Sequence, residues 1–197
     1  LAAVRFKGGQ RSGVFHTLVD PGRPISEDAF AVNHISPQML AGAPTMDKVM
    51  PKFLEFIAGS CLCSYNAGFD LAFLNNELKA SAGEFPAAIP VVDMLRMAKR
   101  LLPGLERYAL WFVAERLGIK TAQQHRALSD VELTLEVFNK LKEILRDKEI
   151  FDFRNFLSLF ALPSGALEDI NNQKVAKIQE AIALGLRLKI KYLSSVS

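Results

Sequence analysis

Cys61-Leu62-Cys63-Ser64-Tyr65-Asn66-Ala67-Gly68-Phe69-Asp70 is the stretch on which the reading of the fold turns. Cys61–Tyr65 is short and apolar, as a strand buried on both faces is. At Asn66 the pattern changes to helical spacing, with Phe69, Phe73, Leu74 and Leu78 on one apolar side. A strand that hands over directly to a helix places Asn66 and Asp70 near the strand's carboxyl end, where α/β proteins gather their ligands.

The flanking segments have the same mixed character. Leu1–Lys7 and Gly13–Val19 are apolar runs separated by Gly8-Gly9-Gln10, which predicts a hairpin. Asp20-Pro21-Gly22 closes the second run with turn residues. Ser26 is placed to cap a short helix over Glu27–Val32, whose opening acids favour the positive helix end. Thr45 caps the next helix, which carries Met46, Val49, Met50, Phe53, Phe56 and Ile57 at helical spacing; Pro51 inside it predicts a kink or a late start. Ala87–Val92 reads as a further short strand or an extended segment. Helices follow at about Met94–Leu102, stopped by Pro103-Gly104, and Tyr108–Leu117, ended by Gly118. A long helix over Ala127–Lys148 carries Leu133, Val137, Phe138, Leu141, Ile144 and Leu145 on one stripe.

Strands and helices in this order predict a layered α/β domain over residues 1–149. Phe151–Leu162 reads as an apolar connector, broken by Pro163-Ser164-Gly165. A last helix over Ile170–Ala183 precedes Leu186–Tyr192, where Leu186, Leu188, Ile190 and Tyr192 alternate with Arg187, Lys189 and Lys191. One helix and one strand are too little to fold alone, so residues 150–197 read as a linker and the start of a second module.

Composition narrows the function classes. The 197 residues are 50% hydrophobic and 23% charged, which excludes disordered and collagen-like chains. No apolar run approaches the about 18 residues of a membrane helix. Leu1–Val4 has neither the charged lead-in nor the cleavage site of a signal peptide. Cys61 and Cys63 have no third cysteine to pair with and sit badly for a bond to each other. Both read as core, in a reducing, cytoplasmic setting. Of the net charge of +3, residues 172–197 hold five bases and one acid, leaving 19 bases and 20 acids in residues 1–171. The bulk of the chain therefore has no global basic field. If it acts on a polyanion, the site must be local and metal-assisted.

His125-Arg126-Ala127-Leu128-Ser129-Asp130 is a second constellation: a loop histidine, then an acid in the opening of a helix. A movable histidine beside a fixed acid suits a proton shuttle next to a metal ligand. Each residue also has a plain structural reading. Asn66 is a good N-cap by type, Asp70 and Asp130 complement helix dipoles, and His125 is a solvated loop residue.

Taken together, these segments resemble the DEDD exonuclease superfamily in its histidine-bearing branch, the epsilon-type proofreading subunits and exonuclease domains of bacterial DNA polymerase III. The likeness covers about residues 1–147. It runs through Phe15–Ile25, Asn33-His34-Ile35-Ser36, Phe53–Ile57, Asn66…Phe69-Asp70, Val92–Arg96, Leu101–Gly104 and His125…Asp130. It implies a ribonuclease-H-like fold, a mixed sheet flanked by helices. It also implies 3′→5′ removal of nucleotides from single-stranded DNA or RNA ends, using two Mg²⁺ or Mn²⁺ ions. A DNA polymerase is an implied partner, and a membrane is not.

By that resemblance Asp70 and Asp130 are two of four metal-holding acids, and His125 is the base that takes a proton from the attacking water. Asn66 and Phe69 line the same pocket, while His16 and His34 lie outside the catalytic pattern. Hard cations prefer carboxylate oxygens, and a pair of them clamps the attacking and leaving oxygens of a phosphodiester. The family's other two acids form an Asp-x-Glu on a central strand. That strand would precede Leu1-Ala2-Ala3-Val4, which aligns with the second strand, so the expectation is a sequence clipped at its amino end and nearly inactive alone. Tyr65 also stands where the family often has histidine. Helix and strand at Ala181–Tyr192 are faintly similar to the opening of WYL-type modules. The competing functional class is a non-catalytic nucleic-acid-binding or replisome-docking module on the same fold.

Overall fold

The computed structural model of the chain describes residues 1–80, 83–120, 127–148 and 152–163, with positions 172, 174, 175, 177–182, 184 and 187. Strand β1 (Ala2–Lys7) pairs antiparallel with β2 (Gln10–His16). Gly8 and Gly9 link them with φ of 61° and 85°. Two consecutive positive φ values make the tight hairpin loop that glycine allows without a Cβ clash. The chain therefore reverses at once, and the second strand begins at Gln10 rather than at the predicted Gly13.

Helix α1 (Glu27–Asn33) starts as the sequence predicts, the Ser26 hydroxyl accepting the Ala29 N–H at 3.3 Å. Helix α2 (Met46–Ile57) begins after Thr45 and runs through Pro51. Thr45 turns its hydroxyl to the Asp47 carboxyl, which it holds below the usual carboxylate range, instead of capping the backbone. Strand β3 (Leu62–Ser64) crosses over through α3 (Ala67–Ala80) to the parallel β4 (Val91–Asp93), in the register Leu62↔Val91, Cys63↔Val92 and Ser64↔Asp93. Helices α4 (Met94–Leu101), α5 (Leu110–Arg116), α6 (Ala127–Asp147) and α7 (Phe153–Phe160) complete the described elements.

Two apolar cores result. In one, Met50, Phe53 and Ile57 of α2 meet Leu74 and Leu78 of α3, with Phe15 edge-on to Phe53 at 5.6 Å. The other joins β4 and α4–α7 around Val92, Met94, Met97, Val113, Leu141 and Phe160. Cys61 and Cys63 are free thiols, hydrogen-bonded to each other and half-buried beside this core.

The segment Phe151–Leu162, expected as a connector, instead contains α7, packed into that second core. The Asp152 carboxylate caps it by accepting the Asn155 N–H at 2.9 Å, and Phe156, Leu157 and Phe160 form its inner face. Beyond it, Ala161 bridges Val92 and the Leu162 N–H donates to the Val91 carbonyl at 2.8 Å. Arg96 and Arg100 of α4 donate to the Ala161 and Leu159 carbonyls at 2.9 and 3.2 Å, satisfying groups at the helix end. Packing thus reaches Leu162, past the expected limit at 149. Helical spacing of the aromatic residues, with a capping aspartate in front, is the physical reason. Described positions of the predicted last helix are helical, and Lys174 donates to the Ser158 hydroxyl at 2.7 Å. Leu186–Tyr192, apart from Arg187, lies outside the described residues.

The sheet is not one continuous layer among the described residues. β1 pairs only with β2, and β3 only with β4. Neither the free edge of β1 nor that of β3 carries a strand among the described residues, and a cavity of about 810 Å³ is lined by the whole of both strands. Helix α6 spans the gap, with Phe138 5.9 Å from Phe6 and Glu132 paired to Arg11 at 3.2 Å. No helix among the described residues is long and apolar enough to cross a membrane.

Candidate active site

The site grows out of the β3–α3 junction. Asn66 adopts φ of 63°, a left-handed conformation that asparagine tolerates better than most residues. This sharp turn starts α3, and the Phe69 N–H donates to the Asn66 carbonyl at 3.0 Å. Asn66 is thus the pivot between strand and helix, and it is exposed.

One turn on, the Asp70 carboxylate accepts a hydrogen bond from the Ser64 hydroxyl at 2.5 Å. Ser64 ends β3 and Asp70 opens α3, so this bond closes the junction on itself. Asp70 lies at the rim of the large cavity, whose apolar walls include Phe73 and Leu74. That desolvation pushes its pKa up, and the nearby Asp93 charge pushes the same way; the hydrogen bonds from Ser64 and the Asp70 backbone oppose it.

Asp93 is a carboxylate that sequence reasoning passed over as a functional candidate. It pairs with Ser64 in the strand register and caps α4 by accepting the Leu95 N–H at 2.9 Å. Only its place at the end of an apolar run was visible in the sequence; its neighbourhood with Ser64 comes from the parallel register. Tyr65 faces this charge as well. Burial, then Asp93 and Tyr108, push its phenol above the ordinary value. Its hydroxyl donates to the Tyr108 carbonyl at 2.7 Å, while the Tyr108 hydroxyl donates to Leu102 O at 2.8 Å. These two tyrosines tie the α4–α5 loop to the junction.

Asp130 stands in the first turn of α6, half-buried, with the Thr134 hydroxyl donating to its carbonyl at 2.7 Å. The next residue, Val131, lines the large cavity with Asp70. It also lines a smaller one of about 80 Å³ with Ser64 and Thr134. Both predicted acids therefore come from helix openings that border one hollow. Phe69 is 72% exposed beside Asp70. His125 lies outside the described residues. Among the described residues, no group of three or more His, Cys, Asp or Glu side chains is gathered closely enough to hold a metal ion.

Hairpin, parallel β3–β4 pair and crossover helix, with carboxylates at the strand ends, are the features of a ribonuclease-H-like α/β fold. The chain belongs to the RNase T exonuclease family, whose model matches residues 1–138. It is 37% identical over 165 residues to the DNA polymerase III subunit epsilon of Aquifex aeolicus (strain VF5), covering 84% of this chain and 80% of that one. It is 36% identical over 147 residues to the PolC-type DNA polymerase III of Clostridium perfringens (strain 13 / Type A), of which it spans only 10%. Among solved structures it is similar to exonuclease X in complex with 5′ overhanging duplex DNA, with a TM-score of 0.59 and 27% identity over 72% of this chain and 80% of that chain. The nuclease domain of 3′hExo, a DEDDh family member bound to rAMP, shares the fold with a TM-score of 0.61 at 15% identity over 79% of this chain and 78% of that chain.

Proposed function

We propose that this chain is the exonuclease unit of a protein that removes nucleotides from the 3′ ends of single-stranded DNA or RNA with the help of divalent metal ions. The observation that carries this reading is Asp70. Its carboxylate is held by Ser64 at 2.5 Å, and its ionisation is disfavoured by apolar walls and by Asp93. A carboxylate whose ionisation is opposed by partial desolvation and a like charge is one that a hard cation relieves. The candidate donors Asp70 and Asp130, with Ser64 beside Asp70, fit Mg²⁺ or Mn²⁺, because all three present oxygens.

Asp70 and Asp130 would hold the ions. When bound, the ions supply electrostatic stabilisation of the charge that builds on the attacking and leaving oxygens. His125 takes the proton of the attacking water, the general-base role an imidazole most often fills. Asn66 sets the angle at which α3 leaves the sheet, and Phe69 offers an exposed ring to the terminal base. The two open edges, of β1 and of β3, support seating a further strand in the cavity. On this reading that strand carries the Asp-x-Glu pair and completes four acids. The names of the relatives support a DNA polymerase as partner.

The test is hydrolysis of a 5′-labelled single strand by the full-length protein. A ladder shortening from the 3′ end, dependent on Mg²⁺, is expected. Products that do not shorten from the 3′ end, or undiminished cutting in chelator, would refute the reading.

A further inference from the structure

The α4–α5 region is the locally basic part of a domain that otherwise carries no positive excess. Residues 94–120 hold Arg96, Lys99, Arg100, Arg107, Arg116 and Lys120 against Glu106 and Glu115. Arg96 and Arg100 are spent on carbonyls at the end of α7. Arg107 and Arg116 are used differently. The Arg107 guanidinium lies 5.8 Å from the Trp111 ring and 5.4 Å from the Phe112 ring, and the Arg116 guanidinium lies 5.5 Å from the Phe112 ring. The two rings meet edge-on at 88°.

Among the described residues, neither guanidinium has a carboxylate within ion-pair reach; the ion pairs are Arg11–Glu132 and Lys140–Glu143. A ring positions a guanidinium without neutralising it, so its planar fork stays available for an anion. Both arginines are exposed, and Trp111 and Phe112 are half-buried. Two pre-positioned forks with no ion-pair partner among the described residues, set on aromatic rings, match a single strand, which offers phosphates and base faces together.

The placement connects this surface to the active site. Arg107 directly precedes Tyr108, whose carbonyl takes the Tyr65 hydroxyl at 2.7 Å, and Tyr65 adjoins Asn66. We propose that Arg107, Arg116 and Trp111 form a landing surface for single-stranded nucleic acid, the guanidiniums taking phosphates and the indole a base. The strand held there is the one whose 3′ end reaches Asp70, so the direction of its use rests on the exonuclease reading. Its binding does not require catalysis.

Trp111 is the single tryptophan of the chain, so intrinsic fluorescence reports on this surface directly. The experiment titrates the 197-residue chain, in chelator, with oligo(dT) and separately with oligo(U) of about twelve nucleotides, within the usual span of single-strand sites. Saturable quenching by either strand is expected, and the stronger arm identifies the preferred backbone. In Arg107→Ala/Arg116→Ala the slope of log affinity against log salt should become shallower by about 1.4, two contacts at about 0.7 each. Arg107→Lys/Arg116→Lys should restore the slope. Silence of Trp111 with both strands, or an unchanged slope in the alanine pair, overturns the proposal. Mg²⁺-dependent shortening of 3′ ends with Trp111 silent refutes the landing surface alone. Quenching in a protein that hydrolyses nothing refutes the catalytic reading alone.

Discussion

Ser64→Ala removes one oxygen and tests how the junction works. Ser64 makes a 2.5 Å hydrogen bond to the Asp70 carboxylate. A hydrogen bond to a charged group contributes about 1.5–3 kcal/mol, and this one sits at an exposed rim, where water replaces part of what is lost. The lower figure, about 1.5 kcal/mol, corresponds to roughly a tenfold change in an equilibrium constant, near the low end of the 10–100-fold usual for the supporting partners of metal ligands. The apparent Mg²⁺ constant of the full-length protein should therefore rise about tenfold, and saturating Mg²⁺ should recover most of the rate. Ser64→Thr keeps the hydroxyl on a residue suited to a strand and should stay close to the parent. The assay is nucleotide release from a single-stranded oligonucleotide across a Mg²⁺ series. An unchanged Mg²⁺ requirement in Ser64→Ala, or an equal loss in Ser64→Thr, would refute the idea that this bond prepares Asp70 for a cation.

Other outcomes follow from the same geometry. Because burial and Asp93 raise the Asp70 pKa, the folded state binds that proton more tightly than the unfolded chain. Its contribution to stability is present below the unfolded value and is lost as pH rises through the folded one. Asp70→Asn should accordingly raise the melting temperature of the metal-free protein at neutral pH but not at about pH 3, below the ordinary carboxylate value; equal shifts at both would contradict this. Phe160→Ala, at a side chain 0% exposed, should cost about 3–5 kcal/mol in urea unfolding, whereas a residue in a loose connector would cost about 0.5 or less. His125→Ala should slow hydrolysis by about 10²–10⁴, the usual contribution of a general base, and an unaltered rate at neutral pH would remove it from the mechanism. A double-mutant cycle on Arg11 and Glu132, both half-exposed, should give a coupling of about 1 kcal/mol or less in chemical unfolding.

Much of the fold was legible because local chemistry and tertiary packing agree. Gly8-Gly9 fixed the hairpin, Ser26 fixed the start of α1, and the apolar stripe of α6 is buried at Val137, Leu141 and Leu145. Strand limits were less legible. The pairing partner decides them, and the tight turn at Gly8-Gly9 moved β2 three residues toward the amino end. Helix α7 went unread because Asp152 and Arg154 look like interruptions. Asp152 is in fact a cap, and the Phe153/Phe156/Leu157/Phe160 spacing marks the helix. At the site, the junction of Ser64, Asn66 and Asp70 was placed correctly from the strand-to-helix change alone. Asp93 was missed because its nearness to Asp70 comes from a parallel register across a crossover, which no local pattern encodes.

The sharpest test of the metal-holding role is crystallographic: full-length protein crystals containing Mn²⁺ as the stand-in for Mg²⁺, with the anomalous signal locating the ions. A peak in contact with the carboxylates of both Asp70 and Asp130 is predicted. Ions bound elsewhere, or carboxylates of Asp70 and Asp130 set too far apart to share a site, would contradict it.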